Sequence, residues 1–219
     1  MKKYRMLIIS LMGVAALASC GDVLEIPETI KPTEMTLDHH SLVVMEGDRI
    51  QVTSSFKPDD VTNTSVWWKM GDENVALVTN GLVYGKKQGN TMLRAYSVLN
   101  QISDSCSVIV ISNWENSFRS EYYRYDMVVY ARMILDGQPL PTDVKVAAMC
   151  GDEIRGVGIR RNRQGIEYME IRVYSNSPLG ETIRFVAYKP GTGIVNFTRT
   201  LSFDEETHGT LSNLLVISD

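Results

Sequence analysis

Apolar and polar residues alternate with a period of two along most of the chain. In the longest such run, over 125–135, every second residue is apolar, and the run ends at the turn pair Asp136-Gly137. Short segments rich in Val, Ile, Thr and Tyr recur about every ten residues between Gly, Asn, Asp and Pro, a spacing typical of strands and turns. We find no useful apolar stripe of helical period after the first twenty residues. The pattern therefore predicts an all-β protein.

The predicted strands form two groups. The first group covers 41–45, 49–54, 65–69, 74–78, 82–84, 91–97 and 105–111. The second covers 125–135, 144–149, 166–174, 182–188 and 193–203, with the apolar end 211–217 closing the sheet. Since each group is large enough to bury its own core, we predict two tandem β-sandwiches, over 32–112 and 113–219.

The beginning of the chain has a different pattern. A basic start precedes an apolar run over 6–18, which has the length of a secretory signal and is too short to span a bilayer as a stable helix. The run ends in Leu-Ala-Ser-Cys, which resembles the lipobox of bacterial lipoproteins. The resemblance implies a signal peptide over 1–19 and acylation of Cys20, for instance by palmitate, which would hold the protein on a membrane. The alternative is an ordinary signal peptide that happens to contain a cysteine.

Charge and the next segment narrow the range of partners. Residues 20–31 contain a proline and scattered charges without any sustained period, which predicts a lipidated tether. The signal holds three of the 22 basic residues and none of the 26 acidic ones, which leaves the mature chain with a net charge of −7. A negative balance of this size argues against nucleic acid as a partner.

Three glycines at a spacing of four, Gly81, Gly85 and Gly89, raise the question of a phosphate-binding loop. Such a loop needs two glycines five residues apart, a lysine followed by Ser or Thr, and a helix after them. Here the glycine spacing is too short, Lys87 stands at the Ser or Thr position, and an alternating segment follows. We therefore interpret the glycines as turn residues that supply positive φ.

The same region carries a family resemblance. Its pieces are Lys57-Pro58, Val66-x-Trp68, Asp72-x-x-Val75-Ala76-x-Val78, Gly81-x-Val83, Lys87-x-Gly89-x-Thr91 and Cys106-x-Val108-x-Val110. In this order and spacing they resemble the bacterial Ig-like group 2 family, over about 32–112. The resemblance implies an Ig-like sandwich used as a stalk, spacer or adhesive module, with Trp68 in its core and no catalytic residues. Trp67 would then face the opposite side of the strand.

The second module has a weaker resemblance. The pieces are Val146-Ala147-Ala148, Glu153-x-Arg155-Gly156, Tyr174-x-Asn176, Gly180-Glu181-x-Ile183-x-Phe185 and Gly209-x-Leu211-Ser212-Asn213. They resemble a β-sandwich module of secreted and surface proteins of Gram-negative bacteria, for which we know no assigned activity. The resemblance implies fold and setting only.

Residues suited to catalysis or metal binding do not form a recognisable constellation. His39 and His40 are adjacent and face opposite ways on a strand, His208 lies in the other module, and three or four convergent ligands are needed for zinc. The acidic runs lie at predicted turns, and no Gly-x-Ser-x-Gly elbow is present. We expect no enzymatic activity and no metal or cofactor. For Cys106 and Cys150 we expect two buried thiols in preference to a disulfide between them.

Two segments and one side chain are candidate ligand contacts. The segment 114–130 is rich in aromatic residues, among them Trp114, Tyr122 and Tyr123, which suit sugar stacking or protein contact. The alternative, which we favour, is that they pack the hinge between the modules and the second core. A predicted basic loop on this acidic protein contains Arg155, Arg160, Arg161 and Arg163, and the favoured alternative for it is a solvated hairpin end. The third candidate is Trp67.

Together these patterns predict a non-enzymatic lipoprotein of a Gram-negative cell envelope, anchored in the outer membrane and facing the cell surface or the periplasm. Its role would be adhesion, ligand presentation or spacing. The alternative is a glycan-binding accessory protein of a polysaccharide uptake system. The expected partners are the membrane, through the N-terminal lipid, and a glycan or protein ligand.

Overall fold

The structure is a computed structural model that describes residues 28–219, and these residues form an all-β protein with one short α-helix. The predicted signal peptide and Cys20 lie outside the described residues. Within 28–219, no helix is long and apolar enough to cross a bilayer.

The first module is a sandwich of short strands. These are β1 (Glu34–Leu37), β2 (Ser41–Met45), β3 (Arg49–Gln51), β4 (Ser54–Lys57), β5 (Val66–Met70), β6 (Ala76–Thr79), β7 (Leu82–Gly85), β8 (Gly89–Ser97) and β9 (Ser103–Ile111). One sheet has the order β2-β9-β8-β5, a second has the order β3-β7-β6, and β1 pairs with β4. The single strand predicted over 49–54 is wrong: after β3 the chain leaves β7, and β4 pairs with β1 instead.

The core of the first module follows the alternation seen in the sequence. Leu93 on β8 and Cys106 and Val108 on β9 are fully buried. Trp68 packs against this core, whereas its neighbour Trp67 is 60% exposed. The two tryptophans therefore lie on opposite faces of β5, as the period of the strand requires.

The three glycines have different roles in the turns around β7. Gly81 has a φ of +78°, as a turn glycine should. Gly85 does not have a positive φ, so the prediction is wrong at this position. A Cβ at Gly85 would lie 2.8 Å from the carbonyl oxygen of Met45, which means that glycine is needed there for close approach of the backbones. After the third glycine the chain continues as β8 and not as a helix.

The second module begins with α1 (Trp114–Ser117) and a 3-10 turn (Ser120–Tyr122). Its strands are β10 (Tyr125–Leu135), β11 (Gln138–Pro139), β12 (Lys145–Cys150), β13 (Glu153–Arg163), β14 (Ile166–Ser175), β15 (Thr182–Lys189), β16 (Gly193–Ser202), β17 (Thr207–His208) and β18 (Leu215–Ser218). The strand order is β11-β10-β14-β13-β12-β15-β16, and β17 and β18 pair parallel with β10.

Strand β13 connects the two layers of this module. Its first half pairs with β12 and its second half, from Gly158, pairs with β14. The sheet therefore folds over at the middle of β13, and side chains such as Phe185, Phe203 and Ile171 fill the space between the layers with no exposed surface.

A third buried cluster joins the modules. It contains Met45 of β2, Trp114 of α1, and Ala147, Val186 and Tyr188 on the outer face of the β12–β15 layer. The backbone N–H of Met45 donates a 3.0 Å hydrogen bond to the hydroxyl oxygen of Tyr188, and the Trp114 ring lies edge-on to the Tyr188 ring at 6.4 Å. The modules are thus packed against each other and not merely linked.

The connection between the modules is held in place by hydrogen bonds. The Asn113 side chain caps α1 by accepting from the backbone N–H groups of Glu115 and Asn116. Its amide nitrogen donates to the carbonyl oxygen of Glu46 at 3.3 Å, which fixes the start of α1 to the first module. The predicted boundary at 112/113 falls in this connection and stays a prediction.

The two described cysteines are free thiols in different surroundings. Burial, with added repulsion from Asp38 and Asp104, raises the pKa of Cys106 to about 11, whereas Cys150 is half-buried. At pH 8 this leaves about one Cys106 thiol in a thousand ionised. We expect a thiol reagent to label Cys150 in the native protein and Cys106 only after unfolding, as measured by peptide mass spectrometry. Native labelling of both at similar rates would contradict the buried position of Cys106.

Candidate ligand-contact surfaces

The structure separates the aromatic residues of the segment 114–130. Trp114 is only 5% exposed and lies in the cluster between the modules, so it is not available to a ligand at the surface. This position agrees with the hinge-packing alternative. Tyr122 is 73% exposed, and Tyr123 is half-buried. Only the latter two remain accessible among the candidates in this segment.

A group of three aromatic rings lies beside α1. The ring centroids of Phe118 and Tyr123 are 6.0 Å apart, and those of Phe118 and Tyr174 are 5.5 Å apart. Tyr174 lies on β14, so the group joins the segment after α1 to the outer face of the sheet. Such offset and tilted contacts stabilise aromatic pairs beyond the area that they bury.

A cleft of about 490 Å³ opens next to this aromatic group. Its wall combines apolar and aromatic side chains with charged ones of both signs: Phe118, Ile159, Tyr174, Arg160, Arg172, Glu115 and Glu170. An apolar wall with a few polar groups is the usual composition of a small-molecule site. The cleft was not predicted, because its residues come from three separate segments that only β13 and β14 bring together.

Arg155 does not belong to a basic loop, and this part of the prediction is wrong. It is 8% exposed at the start of β13, and its guanidinium binds both carboxylate oxygens of Glu181, at 2.9 and 3.0 Å. It also donates to Glu153 at 3.1 Å and lies under the Tyr123 ring, 5.2 Å from its centroid. A buried guanidinium needs such partners because burial of an unpaired charge is costly.

Glu181 is held in its ionised form by this arrangement. Burial pushes its pKa upward, but hydrogen bonds from Ser175 and Arg155 and the charge of Arg155 outweigh that effect, so the pKa lies below its ordinary value. The carboxylate therefore stabilises the fold above the pKa of the unfolded chain, and this contribution is lost as the pH falls through the lower folded value.

Replacing Glu181 by glutamine is expected to lower the free energy of unfolding by about 2 kcal/mol near pH 7, because Arg155 loses its charged partner. The difference from the wild type should shrink below pH 4.5, the ordinary carboxyl pKa, as the wild-type carboxylate becomes protonated. Urea unfolding at a series of pH values measures both effects. Glu153→Gln is the matched control, since that side chain is 58% exposed and should matter much less. A pH-independent difference would contradict the ionic role.

Arg160, Arg161 and Arg163 lie on a strand and not on a loop, which corrects the remaining part of that prediction. They belong to the end of β13, which forms a hairpin with β14. Arg160 donates to the carbonyl oxygen of Pro141 at 2.6 Å, and Arg161 pairs with Glu170 at 3.2 Å. This location agrees with the alternative favoured from the sequence, in which these arginines lie at a solvated hairpin end. Arg160 also lines the cleft.

Trp67 lies far from these residues, on the outer face of the first module. It stands directly opposite Tyr96 in the β5–β8 pair. The two rings are on the face that does not contribute to the core, because Trp68 and Ala95 face inward. The next cross-strand pair on this face is Lys69 and Arg94.

His39 and His40 lie in the turn between β1 and β2, so the expectation that they lie on a strand is wrong, and His208 lies in the second module. Each of the three contacts a carboxylate. His40 contacts Asp104 at 3.1 Å and His208 contacts Asp204 at 2.9 Å. Within residues 28–219, no group of three or more His, Cys, Asp and Glu side chains is arranged to hold a metal ion.

The Arg155–Glu181 ion pair was not predicted from the sequence, although both residues were noted there. Arg155 and Glu181 both lie in the pieces that resemble a known module, but nothing in the sequence shows that they pair across the fold. For Tyr188, which joins the modules, alternation predicts a strand residue and gives no sign of its contact with Met45.

Comparison with known proteins supports the assignment of the first module. Residues 32–101 match the family model described as bacterial Ig-like domain (group 2). No curated protein matches the chain. The family model ends before β9, the strand that completes the four-stranded sheet in the structure.

Similarities to solved structures are distant. Domains 5–6 of the S-layer protein SbsC are 13% identical over 82% of this chain and 99% of that one, with a TM-score of 0.33. A larger SbsC fragment, domains 4–9, is 14% identical over 82% of this chain, which spans 32% of that fragment, with a TM-score of 0.33. The protocadherin fragment PcdhgB3 EC1-4 is 10% identical over 86% of this chain and 50% of its own length, with a TM-score of 0.29.

The family match, the order of the quoted motifs and the observed sandwich agree for the first module. Domains of this kind are typically not catalytic and fit an adhesion or spacer role in surface proteins. Residues 32–101 therefore form a domain that matches the bacterial Ig-like group 2 family.

Proposed function

We propose that this protein is a non-enzymatic, lipid-anchored spacer of the bacterial cell envelope, which holds its second module at a set distance and orientation from the membrane. The observation that carries the proposal is the buried cluster between the modules, centred on Trp114 and Tyr188. Two sandwiches joined by a flexible linker would pivot freely, whereas a shared apolar core keeps them in one orientation.

The placement of the two ends of the first module supports this role. The chain enters beside Thr62, whose backbone N–H donates to the carbonyl oxygen of Ile30 at 3.0 Å. It leaves at Ile111, at the opposite end of the sheet. The entry of the chain and the second module therefore lie at opposite ends of the Ig-like unit, and a tether attached at the entry would suit a spacer.

The anchor itself is supported by the lipobox-like quartet that ends at Cys20. Acylation of Cys20 would place the tether at the outer membrane, with the modules facing the cell surface or the periplasm. Mass spectrometry of the N-terminal peptide of the mature protein tests the acylation. Protease treatment of intact cells, with a periplasmic protein as control, distinguishes the two orientations.

The spacer role is tested by the distribution of distances between the modules. Spin labels at Asp59→Cys and Arg163→Cys, both at exposed positions, report on one module each, with Cys150→Ser as the background. We expect a single narrow distance distribution. A broad distribution, as found for freely pivoting domains, would contradict a stiff spacer.

A second function, glycan binding in the cleft, is favoured by one observation. Phe118 and Tyr174 present aromatic surface next to charged side chains of both signs, a combination that suits stacking on a sugar ring and hydrogen bonds to its hydroxyl groups. Calorimetric titration with neutral and acidic polysaccharides tests it. Phe118→Ala should abolish binding without unfolding the protein, whereas Tyr122→Ala, outside this cleft, should have no effect.

A further inference from the structure

The outer face of the four-stranded sheet carries an unusual group of side chains at one corner. Trp67 lies opposite Tyr96, and Lys69 lies opposite Arg94, in the two neighbouring cross-strand pairs of β5 and β8 that share this face. Trp67, Lys69 and Arg94 are exposed, and Tyr96 is half-buried. We call these four residues the basic aromatic corner.

The charged residues at this corner are all basic. The neighbouring outward-facing residues on β8 and β9 are Asn90, Met92, Ser103, Ser105 and Ser107, none of which is acidic. Within residues 28–219, neither Lys69 nor Arg94 has a carboxylate oxygen within 4.0 Å. Two unpaired positive charges beside two aromatic rings therefore face outward on a protein of negative net charge.

The corner lies at the end of the module where the chain enters. Asn100 donates from its side-chain amide to the carbonyl oxygen of Pro32 at 2.6 Å, and Val98 donates to the carbonyl oxygen of Ser65 at 3.1 Å. These contacts place the entering chain beside the ends of β5 and β8 that carry Trp67 and Tyr96.

The second module occupies the other end of the same sheet. It packs against Met45 and Ile111, at the ends of β2 and β9. On β8, the corner residue Tyr96 is seven residues from Gly89, which pairs near that interface, or about 23 Å at 3.3 Å per residue. The corner is thus the part of the face that the second module leaves uncovered.

We propose that the basic aromatic corner rests on an anionic lipid surface and orients the first module on the membrane. The inference rests on the proposed anchor at Cys20. Ile30 comes ten positions after Cys20, so the entry point would lie within about 35 Å of the bilayer even with the chain fully extended. Tryptophan and tyrosine favour the headgroup region, and nearby lysine and arginine bind anionic headgroups.

Lipid is favoured over a glycan or a second copy of the chain because of this position. A tether attached beside the corner keeps it at a high effective concentration near the membrane, so that a few weak contacts are enough to seat it. A free glycan or another copy has no such advantage at this site.

Tryptophan quenching in reconstituted vesicles tests the proposal. The mature acylated protein is placed in vesicles of brominated phosphatidylcholine, alone or mixed with an equal part of brominated phosphatidylglycerol, so that the density of bromine is the same in both. We expect stronger quenching in the anionic vesicles, and we expect Trp67→Tyr to remove that increase, since Trp114 is buried and Trp68 faces the core.

Charge variants identify the cause. The double variant Lys69→Gln with Arg94→Gln removes both positive charges of the corner. The ratio of protein with the corner on the lipid surface to protein with the corner in solution should fall about fivefold for each charge removed. The matched control is Lys86→Gln with Lys87→Gln, which removes the same charge from exposed positions at the far end of β8. Unchanged midpoints of thermal unfolding would show that both double variants are folded.

Several outcomes would overturn the inference. They are an unquenched Trp67 in the acylated protein, equal effects of the two double variants, a Trp67 emission change caused only by an acidic polysaccharide, and shielding of Trp67 that rises with protein concentration. A mature protein without an acylated cysteine would remove the anchor and this inference together, whereas an acylated protein with unquenched Trp67 would leave the spacer proposal intact.

Discussion

Replacing Trp114 by alanine is expected to lower the free energy of unfolding by about 4 kcal/mol and to separate the unfolding of the two modules. Trp114 is 5% exposed and packs between Met45 of the first module and Tyr188 of the second. Its removal leaves a cavity in the cluster that the two modules share. The cores of the individual modules are left unchanged.

Differential scanning calorimetry measures this effect. The wild type should unfold in one cooperative transition, because the shared cluster couples the modules, whereas Trp114→Ala should show two transitions. Trp67→Ala is the matched control: the same substitution at a 60% exposed site should change stability by less than about 0.5 kcal/mol. A single unchanged transition in Trp114→Ala would show that the cluster does not couple the modules.

Replacing Gly156 by alanine is expected to cost about 3 kcal/mol or more, because the added methyl group has no space. A Cβ at Gly156 would lie 2.2 Å from the carbonyl oxygen of Arg172 and 3.3 Å from the Cα of Val173. Both atoms belong to the backbone of β14, which cannot move aside as a flexible side chain does. Gly156 lies just before the point where β13 changes its partner from β12 to β14, so the clash affects the bend that closes the second core.

The matched control is Gly151→Ala in the turn before β13. Gly151 has a φ of +57° and no atom within 4 Å of an added Cβ, so alanine should cost only about 1 kcal/mol of backbone strain. Urea unfolding of both variants compares the two effects. Equal losses of stability would indicate that the close approach of β13 and β14 is relaxed in solution.

Gly156 and Trp114 act at different levels of the architecture, one within a module and one between modules. Gly156 permits one strand to serve both layers of the second module, and Trp114 joins that module to the Ig-like domain. Neither role depends on ligand chemistry. Both are consistent with a protein whose proposed work is to hold a module in position.

Local patterns were enough to predict much of the fold. The period-two run over 125–135 is observed as β10, and its turn at Asp136-Gly137 has positive φ at both residues. The motifs of the first module predicted an Ig-like sandwich, and the family match over 32–101 agrees. Strand period and turn chemistry act between neighbours in the chain, so they leave a direct trace in the sequence.

Errors occurred where a residue's partner is distant in the chain. The segment 49–54 alternates as one strand, yet its end pairs with β1. Arg155 was assigned to the surface with Arg160 and Arg161 because arginines are normally exposed, but Glu181, 26 residues away, makes its burial favourable.

By itself, the sequence determined the class of the protein, its two modules and the residues whose alternation builds each core, because these depend on contacts at short range. Only the tertiary structure decided which outward-facing residues meet: Tyr188 with Met45, Phe118 with Tyr174, and Trp67 with Tyr96. The physical reason is that outward-facing positions follow the same period whether they face solvent or another module. Their surroundings are set by the register of strands and the packing of modules, which local periodicity does not encode.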